Sequence, residues 1–350
     1  MRFLLLFYQH LFIHGRRRGQ SRGFTLVELL ISIVISSIIL GSLLFLTVEL
    51  TTVDRRETIV DQVQRDMNRA MEYITDDLQE AVYVYTDPQD IAAQLVSDPN
   101  FPGNAADREV PVLAFWRIDP LDFAIPDCST LSGNTPDPEL TKQADCQLLE
   151  VRQAYYTLVV YAQKENDGSD PTWSGQSRLI RYELSKYSDP TDLDWRGGYR
   201  DPTNPTDPAA QFDNWQRLPS TPRGSQAVLV DYVQAPSAER LDRPPLTDST
   251  LPCQGYGLDD FGDPLYSVVP TTTRVDTNNS FFACVRSSAL DNAAAVDAGG
   301  NGNQDVYLFL RGNVQGVNNS GVRSYSDYTS LPILETQVLA RGVVNKGYRQ

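Results

Sequence analysis

The chain has 350 residues, 41% of them hydrophobic and 21% charged, and a formal net charge of −15. That length suits one elaborated domain or two small ones, and the hydrophobic share excludes a multi-span membrane protein and a wholly disordered chain. The acidic balance repels nucleic acid and anionic lipid surfaces, so no nucleic-acid partner is expected.

Residues 1–23 differ from the rest. They hold Arg2, Arg16, Arg17, Arg18 and Arg22, no acid, and both histidines, His10 and His14. Without residues 1–23 the net charge becomes −20, and no histidine remains. A chain processed in this way has no Ser-His-Asp or Cys-His catalysis and no histidine-ligated metal. Residues 29–48 then run for 20 positions without a charge. As a helix they reach about 30 Å, the thickness of a bilayer's hydrocarbon core. Arginines before the run and acids after it place the N-terminus in the cytosol and the bulk of the chain outside. An ordinary secretory signal fits poorly, because the triple arginine follows the apolar stretch 3–13 and no A-x-A site comes after it. An uncleaved signal anchor fits better, except for Glu28. A carboxylate at membrane depth costs about 2.5–3.5 kcal/mol on insertion scales, and an anchor has no use for one.

Residues 22–30 read "RGFTLVELL". This stretch resembles the type IV prepilin N-terminus shared by pilins and pseudopilins: a basic leader ending in Gly, a Phe or Met, then Thr-Leu-hydrophobic-Glu leading into an apolar helix. The resemblance implies that a prepilin peptidase cuts after Gly23 and that Phe24 becomes the N-methylated terminus. Glu28 matches the family's buried glutamate, which pairs with a neighbouring subunit's terminal amine and so offsets two desolvated charges. The leader departs from the pattern in opening "RFLLLFYQHLFIH", apolar where the family's leaders are short and polar. Beyond the membrane, "TVDRRETIVDQVQRDMNRAMEYITDDLQEAVYVYTD" and "VPVLAFWRID" are similar to cyanobacterial pseudopilins of hormogonium polysaccharide secretion. More loosely they look like minor pilins of the PilW and GspJ type. The resemblance covers residues 16–120 and implies a non-catalytic subunit whose partners are other pilins, with polysaccharide export and gliding motility as its setting. It places the chain in the inner membrane, single-pass, with its globular part periplasmic or extracellular.

The helical pattern continues past the membrane. Val60, Val63, Met67, Ala70, Ile74, Leu78 and Ala81 recur at spacings of three and four, an apolar stripe suited to packing on a sheet. One helix is expected over residues 24–83, with Gly41 its weakest point. Asp87-Pro88 ends that region, and a short helix comes next at 89–96. Strands are expected at 110–118, 155–163, 177–185, 227–233, 281–285, 306–311 and 333–343. The second and third of these form a hairpin across the turn formers Asp167-Gly168 and Ser174-Gly175. Residues 188–225, rich in Asp, Pro and Trp, read as an extended surface loop. The fold expected is α+β and pilin-like, a long N-terminal transmembrane and amphipathic helix packed on an antiparallel β-sheet with long loops. The divisions are a cleaved leader at 1–23, an assembly helix at 24–50, its amphipathic continuation at 51–86 and a β-rich domain at 87–350.

Cys128, Cys146, Cys253 and Cys284 form no C-x-x-C pair, and an even count outside the cytosol favours disulfides. Three connectivities exist. The local pairs Cys128–Cys146 and Cys253–Cys284 are preferred, because each closes a loop rich in Pro, Asp and Gly; four separate buried thiols are the alternative. "DAGGNGNQD" places Asp297, Asn301, Asn303 and Asp305 around Gly302, a spacing suited to oxygen ligation of calcium, and some pseudopilins carry structural calcium. Leu308 stands where an EF-hand has its twelfth-position Glu, so a polar turn is the favoured reading and no cofactor is expected. Trp173, Trp195, Tyr199 and Trp215 either stack on sugar rings or pin down the loops that carry them. The acid pairs Asp76/Asp77 and Asp259/Asp260 read as solvated charge. The rival to a pilin subunit is a membrane-tethered carbohydrate-binding or carboxylate-based hydrolase domain.

Overall fold

The computed structural model describes residues 23–103, 109–137, 140–203, 208–235, 253, 256–257, 265–270, 280–286, 304–314 and 330–341. The chain divides into two compact units between Thr58 and Ile59. Helix α1 (Leu26–Gln79) supplies the described part of the first unit, and its turns from Ile59 onward belong to the second. Gly41 lies inside unbroken helix. A single glycine costs only about 1 kcal/mol, less than its Leu and Ile neighbours can sustain.

In the second unit the chain continues as β1 (Ala81–Val84), α2 (Pro88–Leu95), β2 (Glu109–Pro120), α3 (Lys142–Arg152), β3 (Ala154–Glu165) and β4 (Ser177–Leu184). The short strands β5 (Tyr187–Asp189) and β6 (Asp194–Trp195) come next, then β7 (Ser225–Val233) and β8 (Tyr266–Val269). Strands β9 (Phe281–Arg286), β10 (Asp305–Asn313) and β11 (Ser330–Leu339) complete the described elements. Nine of these strands form one antiparallel sheet in the order β1-β2-β3-β4-β7-β10-β9-β8, with β11 also paired to β10. The arrangement is the expected α+β one, an apolar N-terminal helix followed by a curled antiparallel sheet.

The helix ends earlier than its apolar spacing suggests. Ala81, Tyr83 and Val84 pair with Arg117, Trp116 and Phe115 of β2. Val82, Tyr83 and Val84 are β-branched or aromatic, so strand pairing wins over another helical turn. Helix α2 begins as the sequence indicates: Asp87 caps it, its carboxylate accepting from the Gln89 N–H at 3.0 Å, with Pro88 in the first turn. Helix α3 is absent from the elements expected from the sequence and begins inside the loop that Cys128 and Cys146 close. Thr141 caps its start, accepting from Ala144 N–H at 3.2 Å, and Gln153 ends it in the left-handed region at φ 53°.

Both faces of the sheet are covered. On one face Val63, Met67, Ala70, Ile74 and Leu78 of α1 pack with Phe115, Tyr161, Leu179, Phe281 and Leu308. The apolar stripe predicted from the sequence is thus the contact surface of the helix. Gly312 of β10 lies directly beneath it; a Cβ there would stand 3.0 Å from Met67 Cγ and 3.3 Å from a Val63 methyl. On the opposite face Trp116, Leu158, Val160 and Tyr182 pack under Trp195, Tyr199, Trp215 and Leu218. The described residues of 188–225 therefore supply a cover rather than a surface loop. Trp195, Tyr199 and Trp215 are 7%, 0% and 3% exposed, which leaves no ring face for sugar. Burial of such side chains contributes roughly 1.5–3 kcal/mol each. Trp173 lies apart, half-buried, with Arg178 over its ring at 5.1 Å.

Two disulfides join Cys128 to Cys146 and Cys253 to Cys284, the local pairs. Each restricts the unfolded chain and contributes roughly 2–4 kcal/mol. The Gln304 side chain ties the edge strand β1 to the far half of the sheet. Its amide nitrogen donates to the carbonyls of Val84 at 2.8 Å and Arg286 at 3.1 Å, and its oxygen accepts from Val84 N–H at 2.8 Å.

Several carboxylates are buried rather than solvated. Asp77 accepts from Arg181 Nε at 2.7 Å, from Tyr161 OH at 2.6 Å and from Arg117. Asp76 alone of that pair is exposed. A second cluster surrounds Lys186, whose Nζ donates to Asp145 at 2.8 Å and Asp201 at 2.9 Å. Trp195 Nε1 and Tyr187 OH donate to the other oxygen of Asp145. Burial by itself would raise the Asp201 pKa; the Lys186 ammonium and hydrogen bonds from Thr203 outweigh it and bring it from 3.8 to about 2. A depressed folded pKa stabilises above the unfolded value, so this contribution is complete above about pH 4 and is lost as pH falls toward 2. Acid titration of stability should therefore show a limb in that window that Asp201→Asn flattens. An unchanged limb would remove Asp201 as its source.

Candidate functional site

The residues singled out from the sequence fall in two places. Gly23, Phe24 and Glu28 lie within six positions at the start of α1, whereas the four cysteines belong to the second unit. Asp305 opens β10, where it accepts from Tyr266 OH at 3.3 Å and lies 3.9 Å from Arg286. Asp297, Asn301 and Asn303 lie outside the described residues, as do Asp259 and Asp260. Among the described residues no three His, Cys, Asp or Glu side chains gather as metal ligands.

The start of α1 is built locally. Gly23, Phe24 and Thr25 are outside the helix, and the first helical residue is Leu26. Thr25 holds that boundary: its hydroxyl accepts from Glu28 N–H at 3.3 Å, and its carbonyl accepts from Glu28 N–H at 3.0 Å and Leu29 N–H at 3.2 Å. Thr25-x-x-Glu28 is the sequence form of a capping box. It also puts an acid in the first turn, where the helix dipole favours negative charge. Phe24 is 76% exposed, and a Cβ at Gly23 would meet nothing within 4 Å. The fold itself makes no steric demand for glycine at position 23.

The first turns of α1 beyond this cap are apolar and, among the described residues, exposed. Leu26–Thr51 reaches a mean hydropathy of 2.7 over its most apolar 18 residues and is long and apolar enough to cross a membrane. Its hydroxyls turn inward on the helix: Ser32 donates to Glu28 O at 2.7 Å, Ser37 to Val34 O at 2.8 Å, Ser42 to Ile39 O at 2.8 Å and Thr47 to Leu43 O at 2.7 Å. Donors satisfied in this way carry little penalty in lipid. Glu28 is the one charged residue from Leu26 through Val48.

A family model described as "Prokaryotic N-terminal methylation motif" matches residues 18–44. The match supports a type IV pilin-like protein. It spans the boundary at Gly23–Phe24, the Thr25 cap and most of the apolar run. No curated protein and no solved structure matches the chain. A pilin-like N-terminus of this kind implies a membrane-anchored subunit that assembles with other pilins and is handled by a prepilin peptidase.

Sequence reasoning locates this segment because its residues are contiguous. It misses the Asp77 and Lys186 clusters, whose members come from distant strands. The one available signal for Asp77 is its position, adjacent to Leu78 on the core-facing side of α1.

Proposed function

We propose that the chain is a non-catalytic minor pilin or pseudopilin, cut after Gly23, methylated on Phe24 and assembled through the helix at residues 24–48. The observation that carries this reading is the start of α1: an exposed, non-helical Gly23–Phe24 pair followed by an apolar run, residues 26–48, whose lone charge is Glu28. Cleavage creates a cationic amine at a helix N-terminus, where the dipole opposes positive charge. In a bundle of such helices the Glu28 carboxylate of one subunit offsets the amine of another, and both charges gain from pairing in an apolar medium. The N-terminus faces the cytosol before cleavage, and the β-rich unit lies outside the inner membrane. The setting is a type IV pilus-like machine, with polysaccharide export and gliding motility as its output, on the resemblance of residues 16–120.

Shearing and sedimentation of surface filaments test the assignment. The subunit should co-sediment with other pilins when the prepilin peptidase is present and stay in the membrane fraction when it is absent. Recovery in the membrane fraction alone, with the peptidase present, contradicts it.

A further inference from the structure

We infer that Thr25 sets the rate of processing by fixing where α1 begins, keeping the Gly23–Phe24 bond outside the helix and open to a peptidase. This rests on the proposed cut after Gly23. A helical peptide bond is a poor protease substrate, because its carbonyl is tied to the N–H four residues on and its backbone is wound against the preceding turn. The apolar run beyond it gives the helix reason to grow backward. Residues 24–48 are strongly apolar, and in lipid each added turn satisfies backbone groups that water would otherwise serve.

Thr25 opposes that growth by two bonds at once. Its hydroxyl shares the Glu28 N–H, at 3.3 Å, with its own carbonyl at 3.0 Å, a donor that would bond a carbonyl one turn earlier if the helix extended. Its own carbonyl becomes the first of the helix, accepting from Leu29 N–H at 3.2 Å. A capping residue has non-helical backbone angles, so the chain must leave the helix axis at Thr25. Gly23 and Phe24 are then non-helical, with Phe24 76% exposed and open space around the Gly23 Cα. Thr25 is thus a positioning residue: it acts on the scissile bond through backbone geometry.

The full-length chain in membrane vesicles containing a prepilin peptidase gives the test, with cleavage followed in time. Thr25→Val removes the hydroxyl acceptor at nearly constant shape and leaves the Glu28 N–H only the Thr25 carbonyl; loss of a cap lowers the population of the open form roughly 2- to 30-fold, with cleavage slowed to match. Thr25→Ser keeps the cap and should be cut at the original rate. The deciding variant is Thr25→Val with Leu26→Pro. Proline at the first helical position needs no N–H partner and excludes the residue before it from helical angles. It restores the helix start without the hydroxyl, so cleavage should recover. Thr25→Val cut at the original rate overturns the inference, and so does a slow Thr25→Val that proline fails to rescue, which would mean that the peptidase reads the hydroxyl directly. Absence of cleavage in the unaltered chain is a different failure, that of the proposed processing. Amide exchange at Glu28 in detergent reads the cap without the peptidase: it should quicken in Thr25→Val, and unchanged protection overturns the inference on its own.

Discussion

Glu28→Leu should insert and be cleaved as the unaltered chain is, yet drop out of filaments by about a hundredfold or more. The insertion side rests on the cost of a carboxylate at membrane depth, about 2.5–3.5 kcal/mol, which leucine removes. The lone subunit in the membrane is therefore more comfortable than before. On the proposed pairing, assembly suffers because the Phe24 amine of a neighbour is left buried without its partner. Removing one member of a buried pair costs about 3–5 kcal/mol, and each 1.4 kcal/mol is a factor of ten. The ratio of sheared-filament to membrane-bound protein reads this directly. Incorporation of Glu28→Leu at the original ratio would mean that packing of the apolar helix, not charge pairing, drives assembly.

Asp77→Leu should destabilise the second unit by about 3–5 kcal/mol, a large part of a domain's stability. The loss is not that of one contact. Arg117, Arg181 and Tyr161 all converge on this carboxylate from β2, β4 and β3, and its side chain is 7% exposed. Leucine leaves two largely buried guanidinium groups facing an apolar side chain. Asp119 and Glu183 retain one contact each, at 2.6 and 2.7 Å, which holds the arginines in place without neutralising their inner faces. Urea unfolding of the detergent-solubilised full chain, followed by the fluorescence of the buried tryptophans, measures the change. Replacing Arg117 and Arg181 by methionine alongside Asp77→Leu should recover most of it, since a well-packed apolar cluster is often as stable as a buried ion network. A loss below about 1 kcal/mol in the single variant would show that water reaches this cluster and screens it.

These two residues differ in how far the sequence alone reveals them. Glu28 is legible because its anomaly is local: one acid in an apolar run, four residues after Phe24. The α1 stripe is legible for a similar reason, since spacings of three and four hold whatever the helix packs against. The strands show as short apolar runs because both faces of the sheet are buried; in β2, Phe115 enters one core cluster and Ala114 and Trp116 the other. Asp77 reads as solvated because its partners lie 40, 84 and 104 residues away. Nothing within a turn of α1 announces two arginines. Residues 188–225 mislead for a related reason. Their Asp and Pro content matches a surface loop, but Trp195, Tyr199 and Trp215 have a second sheet face to cover, and composition does not show that a face is vacant. The end of α1 is misplaced by a few residues because Leu78 and Ala81 keep helical spacing while Val82–Val84 gain more by pairing with β2.

A cutting site at Gly23–Phe24 followed by an assembly contact at Glu28 requires one defined mature N-terminus. Mass spectrometry of the protein isolated from membranes of cells with an active prepilin peptidase should find a chain beginning at N-methylated Phe24. The same preparation from peptidase-deficient cells should retain the leader with its five arginines. A chain that keeps the leader in the presence of the peptidase, or one cut at any bond other than Gly23–Phe24, would contradict the account.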